Sequence, residues 1–336
     1  MGDIDESDLP GEIFPGVYKF VLPLFGEKPG PVNSYLFPGK KMTLIDTGTL
    51  QTVDLLERGF KKFGFNFSDL DRIIFTHGHI DHYGGALSIL EKAGKKIEIL
   101  SHEGDKKSIE TGSHVKMETE INFHRIMGIP EEYLEKLNTF KSFFQKMGKN
   151  CSVTSTVTDN QKITLGDYKA NIIFTPGHSR GSICLFLEDK DILFSGDHIL
   201  GHITPNAFVM LDDNHPLPVR KSQKEYYESL SRIERVNPST IYPAHGETIT
   251  DPKKTIEIYK TCFKEREHEI LRILQSGIHS VYKIARQLFP DIGGEKLPLD
   301  IALAVSEVFT HLQILQEKNI VSFKIENTLK IIYQGK

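Results

Sequence analysis

With 336 residues, 39% of them hydrophobic, the chain is long enough to bury one large core and a smaller one. Its 41 basic and 45 acidic side chains leave a net charge of −4, which gives no global attraction to nucleic acid or an anionic membrane. Three scattered cysteines (Cys151, Cys184 and Cys262), an acidic start in place of a leader and the lack of any membrane-length apolar run set the expectation of a reducing, cytoplasmic setting.

Strand-like segments come first: GVYKFVLPL (16–24), SYLF (34–37) and MTLIDTG (42–48). A helix is predicted over 52–63, where Val53, Leu56, Phe60 and Phe63 share a face. The apolar strand RIIF (72–75) runs into FTHGHIDHYGG (75–85), and Asp81 to Ala93 reads as helix. From 102 to about 150 the pattern is helical and rich in Phe and Met. Strands return with QKITL, KANIIFTPG, SICLFLE and DILFSGD between 161 and 197. A helix near 219–236 precedes the strand TIYPAHG (240–246). Strands alternating with helices, but also following one another, predict α/β layers built around sheets.

The tail has a different pattern. A long helix starts at 252, Ser280 is placed to cap VYKIARQLF, and Asp300 to cap a helix striped by Ile301, Val305, Val308, Leu312 and Leu315. Two alternating runs, IVSFKI and TLKIIY, complete a winged-helix-like order over about 260–336. The expected domains are therefore 12–255, with an insertion at about 102–150, and 260–336.

His77, His79, Asp81 and His82 lie in a loop leaving a strand's carboxyl end. Alternate residues of extended chain point the same way, so 77 and 79 can converge. Imidazole and carboxylate suit Zn²⁺ and related divalent ions. His178 in FTPGHSRGS, Asp197 in LFSGDHI and His245 in IYPAHGE each end a further apolar strand, beside small residues that allow close approach. Solvated loop histidines and helix caps would explain any one of these positions, but explain all four together poorly.

THGHIDH resembles the T-H-x-H-x-D-H signature of the metallo-β-lactamase-fold hydrolases. PGH with Ser179, SGD and PAHG match that superfamily's later motifs in order, and TLIDTG (43–48) resembles its Asp-Thr-Gly element. The resemblance covers roughly 12–250 and implies an α/β fold, the αββα sandwich. It also implies two divalent metal ions, zinc first and iron or manganese next. His77, His79 and His178 would hold one, Asp81, His82 and His245 the other, and Asp197 would bridge them. Two metals about 3.5 Å apart can share a hydroxide whose pKa is pulled towards neutrality. Asp81 would orient it or move a proton. Asp46 is expected behind the ligands, orienting a histidine or its loop, and His198 and His202 are candidate substrate contacts.

Fold does not fix substrate. The superfamily includes thioesterases, lactonases, β-lactamases, nucleases, sulfur dioxygenases and diiron oxygen reductases. In the last of these a glutamate typically stands where His79 does. The interval from Asp197 to His245 is too short for the large domain of many RNA-processing relatives. The tail resembles the extension of a branch, glyoxalase II-like or lactonase-like, that contains predicted acyl hydrolases and one set of endoribonucleases. The insertion's apolar residues form either its own core or a lid, with Phe140, Phe143 and Phe144 over the substrate. The favoured reading is hydrolysis of a small ester-type molecule, a thioester or lactone with an apolar acyl group. The alternatives are a metal-dependent endoribonuclease, a sulfur dioxygenase, or a binding protein with a vestigial site. The tail, without a basic stripe, is expected to form a cleft wall or a homodimer contact ahead of a nucleic-acid surface.

Overall fold

The computed structural model describes residues 10–26, 28–290 and 298–334. Its first half contains β1 (Gly11–Phe14), β2 (Val17–Leu22), β3 (Val32–Phe37), β4 (Thr43–Ile45), α1 (Val53–Lys62), β5 (Arg72–Ile74), α2 (Ile80–Tyr83), α3 (Ala86–Ala93), β6 (Glu98–His102), α4 (Glu103–Thr111), α5 (Met117–Ile126), α6 (Glu131–Gln145) and β7 (Ser155–Val157). These seven strands form one sheet in sequence order, antiparallel from β1 to β4 and parallel from β4 to β7. The switch coincides with the first intervening helix, because a parallel neighbour needs a crossover connection.

A second sheet follows from β8 (Lys162–Leu165), β9 (Tyr168–Phe174), β10 (Ile183–Leu187), β11 (Ile192–Gly196), α7 (Ser222–Val236) and β12 (Thr240–Pro243). Its order is β12-β11-β10-β9-β8, with only β11 and β12 parallel. The tail consists of α8 (Pro252–Gln275), α9 (Val281–Leu288), α10 (Pro298–Glu317), β13 (Val321–Ile325) and β14 (Leu329–Tyr333), the helix–helix–helix–hairpin order expected.

The sheets pack face to face through Tyr35, Phe37, Ile45 and Ile74 of the first and Ile172, Leu185, Phe194 and Tyr242 of the second. On the outer face of the first sheet, Leu56 and Phe60 of α1 and Ile89 of α3 cover Phe20, Leu36 and Leu44. On the outer face of the second, Tyr226 and Ile233 of α7 join Ile256 and Tyr259 of α8. The result is the αββα sandwich. Every residue of β3 is buried, as a central strand covered on both faces requires.

Several expectations need correction. Asp81 to Ala93 is two helices, broken at Gly84–Gly85. The His82 carbonyl accepts from the Thr47 amide at 2.7 Å and the Thr47 hydroxyl at 2.9 Å, so it is not used for the next helical turn. Asp300 lies inside the first turn of α10 rather than capping it. Ser280 does hold the cap position of α9, but its side chain makes no capping bond. The boundary expected between 255 and 260 falls within α8. That helix buries Ile256 and Phe263 in the sandwich and Ile270 and Leu274 in the tail, so it acts as a rod between two cores.

The insertion also has no core of its own. Phe123, Met127, Ile129 and Leu134 pack with Val305, Phe309 and Leu312 of the tail. The Phe123 and Phe309 rings meet edge to face at 5.6 Å. Phe144 instead leans on the sandwich core, Phe140 stacks on it at 6.1 Å, and Phe143 is exposed. If the insertion and tail share one core, Phe123→Ala and Phe309→Ala should each cost about 3–5 kcal/mol. A double-mutant cycle by denaturant unfolding should return a coupling of about 0.5–1.5 kcal/mol; strict additivity would contradict the shared core.

Candidate metal centre

The seven expected ligands gather at the carboxyl ends of four strands. The loop after β5 carries His77, His79, Asp81 and His82; His178 follows β9, Asp197 follows β11 and His245 follows β12. The two sheets are stitched together here. The Asn33 amide of β3 donates to the Ala244 carbonyl at 2.6 Å, and the Asn33 side chain donates to the Pro243 and Gly246 carbonyls at 3.0 and 2.8 Å.

Donor atoms of His77, His79, His178 and Asp197 lie within 4.8 Å of one another, and so do those of Asp81, His82 and His245. Asp197 faces both groups. Its Oδ2 is 3.4 Å from His178 Nε2 and 3.9 Å from His77 Nε2, while its Oδ1 is 3.7 Å from His82 Nε2 and 3.5 Å from His245 Nε2. Three of these buried atoms, His82 Nε2, His245 Nε2 and Asp197 Oδ1, have no hydrogen-bond partner. Buried polar atoms left unpaired are costly, and a pair of divalent cations is what this donor set fits.

The remaining ring nitrogens fix how the imidazoles face. His82 Nδ1 lies 2.9 Å from Asp46, His178 Nδ1 lies 3.0 Å from the Asn206 carbonyl, and His245 Nδ1 lies 3.0 Å from both the Gly30 and Pro31 carbonyls. Each acceptor makes Nδ1 the donor and turns Nε2 inward, the usual support of a metal-binding histidine. Asp46 also accepts from the Thr76 amide at 2.9 Å and the Thr76 hydroxyl at 2.8 Å. Its backbone sits in the left-handed region at φ 55°, a conformation short polar residues tolerate better than most. Asp46 thus stands behind both the His82 ring and the start of the histidine loop.

Burial, with the neighbouring histidines adding to it, pushes the His77 imidazole well below its ordinary pKa. Burial likewise lowers His79, and brings His178 down to about 3. These rings are neutral and can offer lone pairs. His82 behaves oppositely: burial works against its charge, but Asp81, Asp46 and Asp197 push it up to about 10. For Asp81, burial is outweighed by His82 and His245, which hold its carboxyl below the ordinary range.

Neither candidate substrate histidine joins the ligand cluster. His198 is buried with its ring 4.8 Å from Tyr226, and burial takes its pKa down to about 3. It belongs to the packing beneath α7. His202 is exposed, with Nε2 2.8 Å from the Pro29 carbonyl and its ring against Gly246. The aromatic ring that meets the ligands is not Phe140, Phe143 or Phe144 but Phe208, edge-on to His79 at 5.2 Å and to His178 at 5.1 Å.

Phe208 sits on a strap, 203–217, whose Val209 amide donates to Ser306 of α10 at 2.9 Å. Further along, Asp213 accepts from the Thr119 hydroxyl of α5 at 2.6 Å. Tail and insertion therefore brace a wall of the site. Nothing in the sequence pattern singled this segment out. Asp105, also missed, is buried and hydrogen-bonded to Gly78 and Ser179. In the sequence it looks like one of the acids that favour a helix's first turn.

The family model of the metallo-beta-lactamase superfamily matches residues 28–143 and 153–245. A probable metallo-hydrolase of Bacillus subtilis is 26% identical over 307 residues, 89% of this chain and 92% of that one. A shorter match, 27% identical over 36% of this chain and 34% of the other, is to an atrochrysone carboxyl ACP thioesterase of Aspergillus fumigatus. The crystal structure of a metallo-beta-lactamase family protein from Thermus thermophilus superposes with a TM-score of 0.80 at 22% identity, covering 96% of this chain and all of that one. That last likeness is one of fold.

Because Asp197 presents one oxygen to each ligand group, Asp197→Ala should weaken both metals, whereas His245→Ala should weaken mainly one. Elemental analysis after equilibration with limiting zinc should show the difference. Equal loss in both variants would contradict the two-group division.

Proposed function

We propose that this chain, a metal-dependent hydrolase that belongs to the metallo-beta-lactamase superfamily, cleaves a thioester or lactone with an apolar acyl group. The observation that carries the substrate class is Phe208, an apolar ring set edge-on against two ligand histidines. Such a wall suits an alkyl or aryl group next to the reacting carbonyl better than it suits a charged phosphate. The thioesterase named among the relatives supports the same chemistry.

Two divalent ions, zinc first, would supply Lewis acidity and a water activated at neutral pH. His77, His79 and His178 would hold one, Asp81, His82 and His245 the other, and Asp197 both. Asp81, kept ionised by His82 and His245, would orient the attacking water. A leaving thiolate needs little protonation, so the site requires no strong acid of its own. A thiol nucleophile from Cys151 or Cys184 is disfavoured. Cys151 and Cys184 are buried, and burial pushes both thiols up to about 12. His202, exposed beside Gly246, would meet the more polar end of the substrate.

The outer end of the acyl group would run towards Phe140, Phe143 and Phe144. They lie on α6, and the segment after that helix abuts the ligand-bearing turn, with the Lys149 amide donating to the Gly84 carbonyl at 3.0 Å.

A panel of acyl thioesters and lactones of graded chain length tests the reading. Hydrolysis should be lost with a chelator, regained with zinc, and kept when all three cysteines are replaced. Phe208→Ala should raise KM for long acyl groups roughly tenfold, the scale of one lost apolar contact, and for short ones much less. Metal-loaded protein that leaves the whole panel intact but cleaves RNA would replace this reading with the endoribonuclease one.

A further inference from the structure

Ser179 and the glycines of THGH and HSRGS have no part in the chemistry so far, yet they converge on one side chain. Asp105, in the first turn of α4, is 1% exposed. Its Oδ2 accepts from the Gly78 amide at 2.9 Å and from the Ser179 hydroxyl at 2.5 Å. Ser179 is held in turn by Ser182, whose Oγ is 2.6 Å from the Ser179 hydroxyl and accepts from the Ser179 amide at 3.1 Å. The other carboxylate oxygen lies 3.6 Å from His114 Nε2.

Both loops need glycine to come this close. A Cβ on Gly78 would stand 2.9 Å from the Asp105 Cβ, and one on Gly181 would stand 2.6 Å from the Asp105 amide nitrogen. Gly78 separates His77 from His79, and Ser179 directly follows His178. One buried carboxylate therefore ties together the two chain segments that supply all three histidines of the first ligand group. Asp46 stands behind His82 of the second group and, through the Thr76 amide and hydroxyl, also behind the start of the loop that carries His77.

We propose that Asp105 is the positioning residue of the first metal group, converging His77, His79 and His178 through the Gly78 amide and the Ser179 hydroxyl. The inference rests on the two-metal reading given above. It assigns the first group a buried carboxylate that does not touch the second, and so predicts that the first group can be loosened separately.

The test titrates metal-free protein with zinc ions in competition with a chromophoric chelator. His178→Ala and His245→Ala identify the step belonging to each group. Asp105→Ala should weaken the step that His178→Ala removes by about 10- to 100-fold, the usual effect of losing a partner behind a ligand. The step that His245→Ala removes should stay within about twofold. Asp105→Asn keeps the size and one acceptor and should restore part of the affinity, while Ser179→Ala should weaken the same step by less. Asp46→Ala, which removes support from His82 and from Thr76, should by contrast weaken the step that His245→Ala removes without sparing the other. The two milder variants keep the test decisive if Asp105→Ala does not fold. Wild-type protein that binds two zinc ions, with Asp105 and Ser179 variants that lose both steps equally or neither, would overturn the assignment alone. Wild-type protein that takes up no zinc would overturn the two-metal reading and this inference with it.

Discussion

The Asp197 carboxylate, with one oxygen turned to each ligand group, is the contact on which the site's arrangement depends. It is 6% exposed and shares a pocket with five buried or half-buried imidazoles and a second carboxylate. So many polar groups removed from water are tolerable only when their charges and lone pairs are matched. Within the protein the match is incomplete, because His82 Nε2, His245 Nε2 and Asp197 Oδ1 lack partners. Divalent cations would complete it, and would then be part of the fold's electrostatic balance as well as of its chemistry.

The architecture supplies what that arrangement needs. Strand ends from two sheets bring distant segments of the chain to one edge. Backbone carbonyls at Gly30, Pro31 and Asn206 and the side chains of Asp46 and Thr76 take up the outward ring nitrogens. The tail contributes from a distance. Ser306 of α10 and Thr119 of α5 hold the strap that carries Phe208, so the second core bears on the ligand cluster through that segment.

The sandwich and the gathering of the seven expected ligands were legible in the sequence because their signals are local. Each ligand sits at the end of an apolar run, and strand alternation needs only a few residues to show. What the insertion packs against was not legible. The stripe of Phe123, Met127 and Leu134 marks a buried face without naming its partner, and that partner lies some 180 residues later, at Phe309 and its neighbours. Asp105 was hidden by an ordinary helix-start role, and Phe208 by a loop with no periodicity. His198 misled for the opposite reason. It is next to Asp197 in sequence, but its ring turns away to Tyr226.

The central claim is that one carboxylate divides this pocket between two cations. Anomalous diffraction at the zinc edge, from crystals of zinc-loaded protein, tests it most directly. The account predicts two peaks about 3.5 Å apart, one beside His77, His79 and His178, the other beside Asp81, His82 and His245, with an Asp197 oxygen on each. A single peak, or two peaks that leave Asp197 bound to only one, would contradict it.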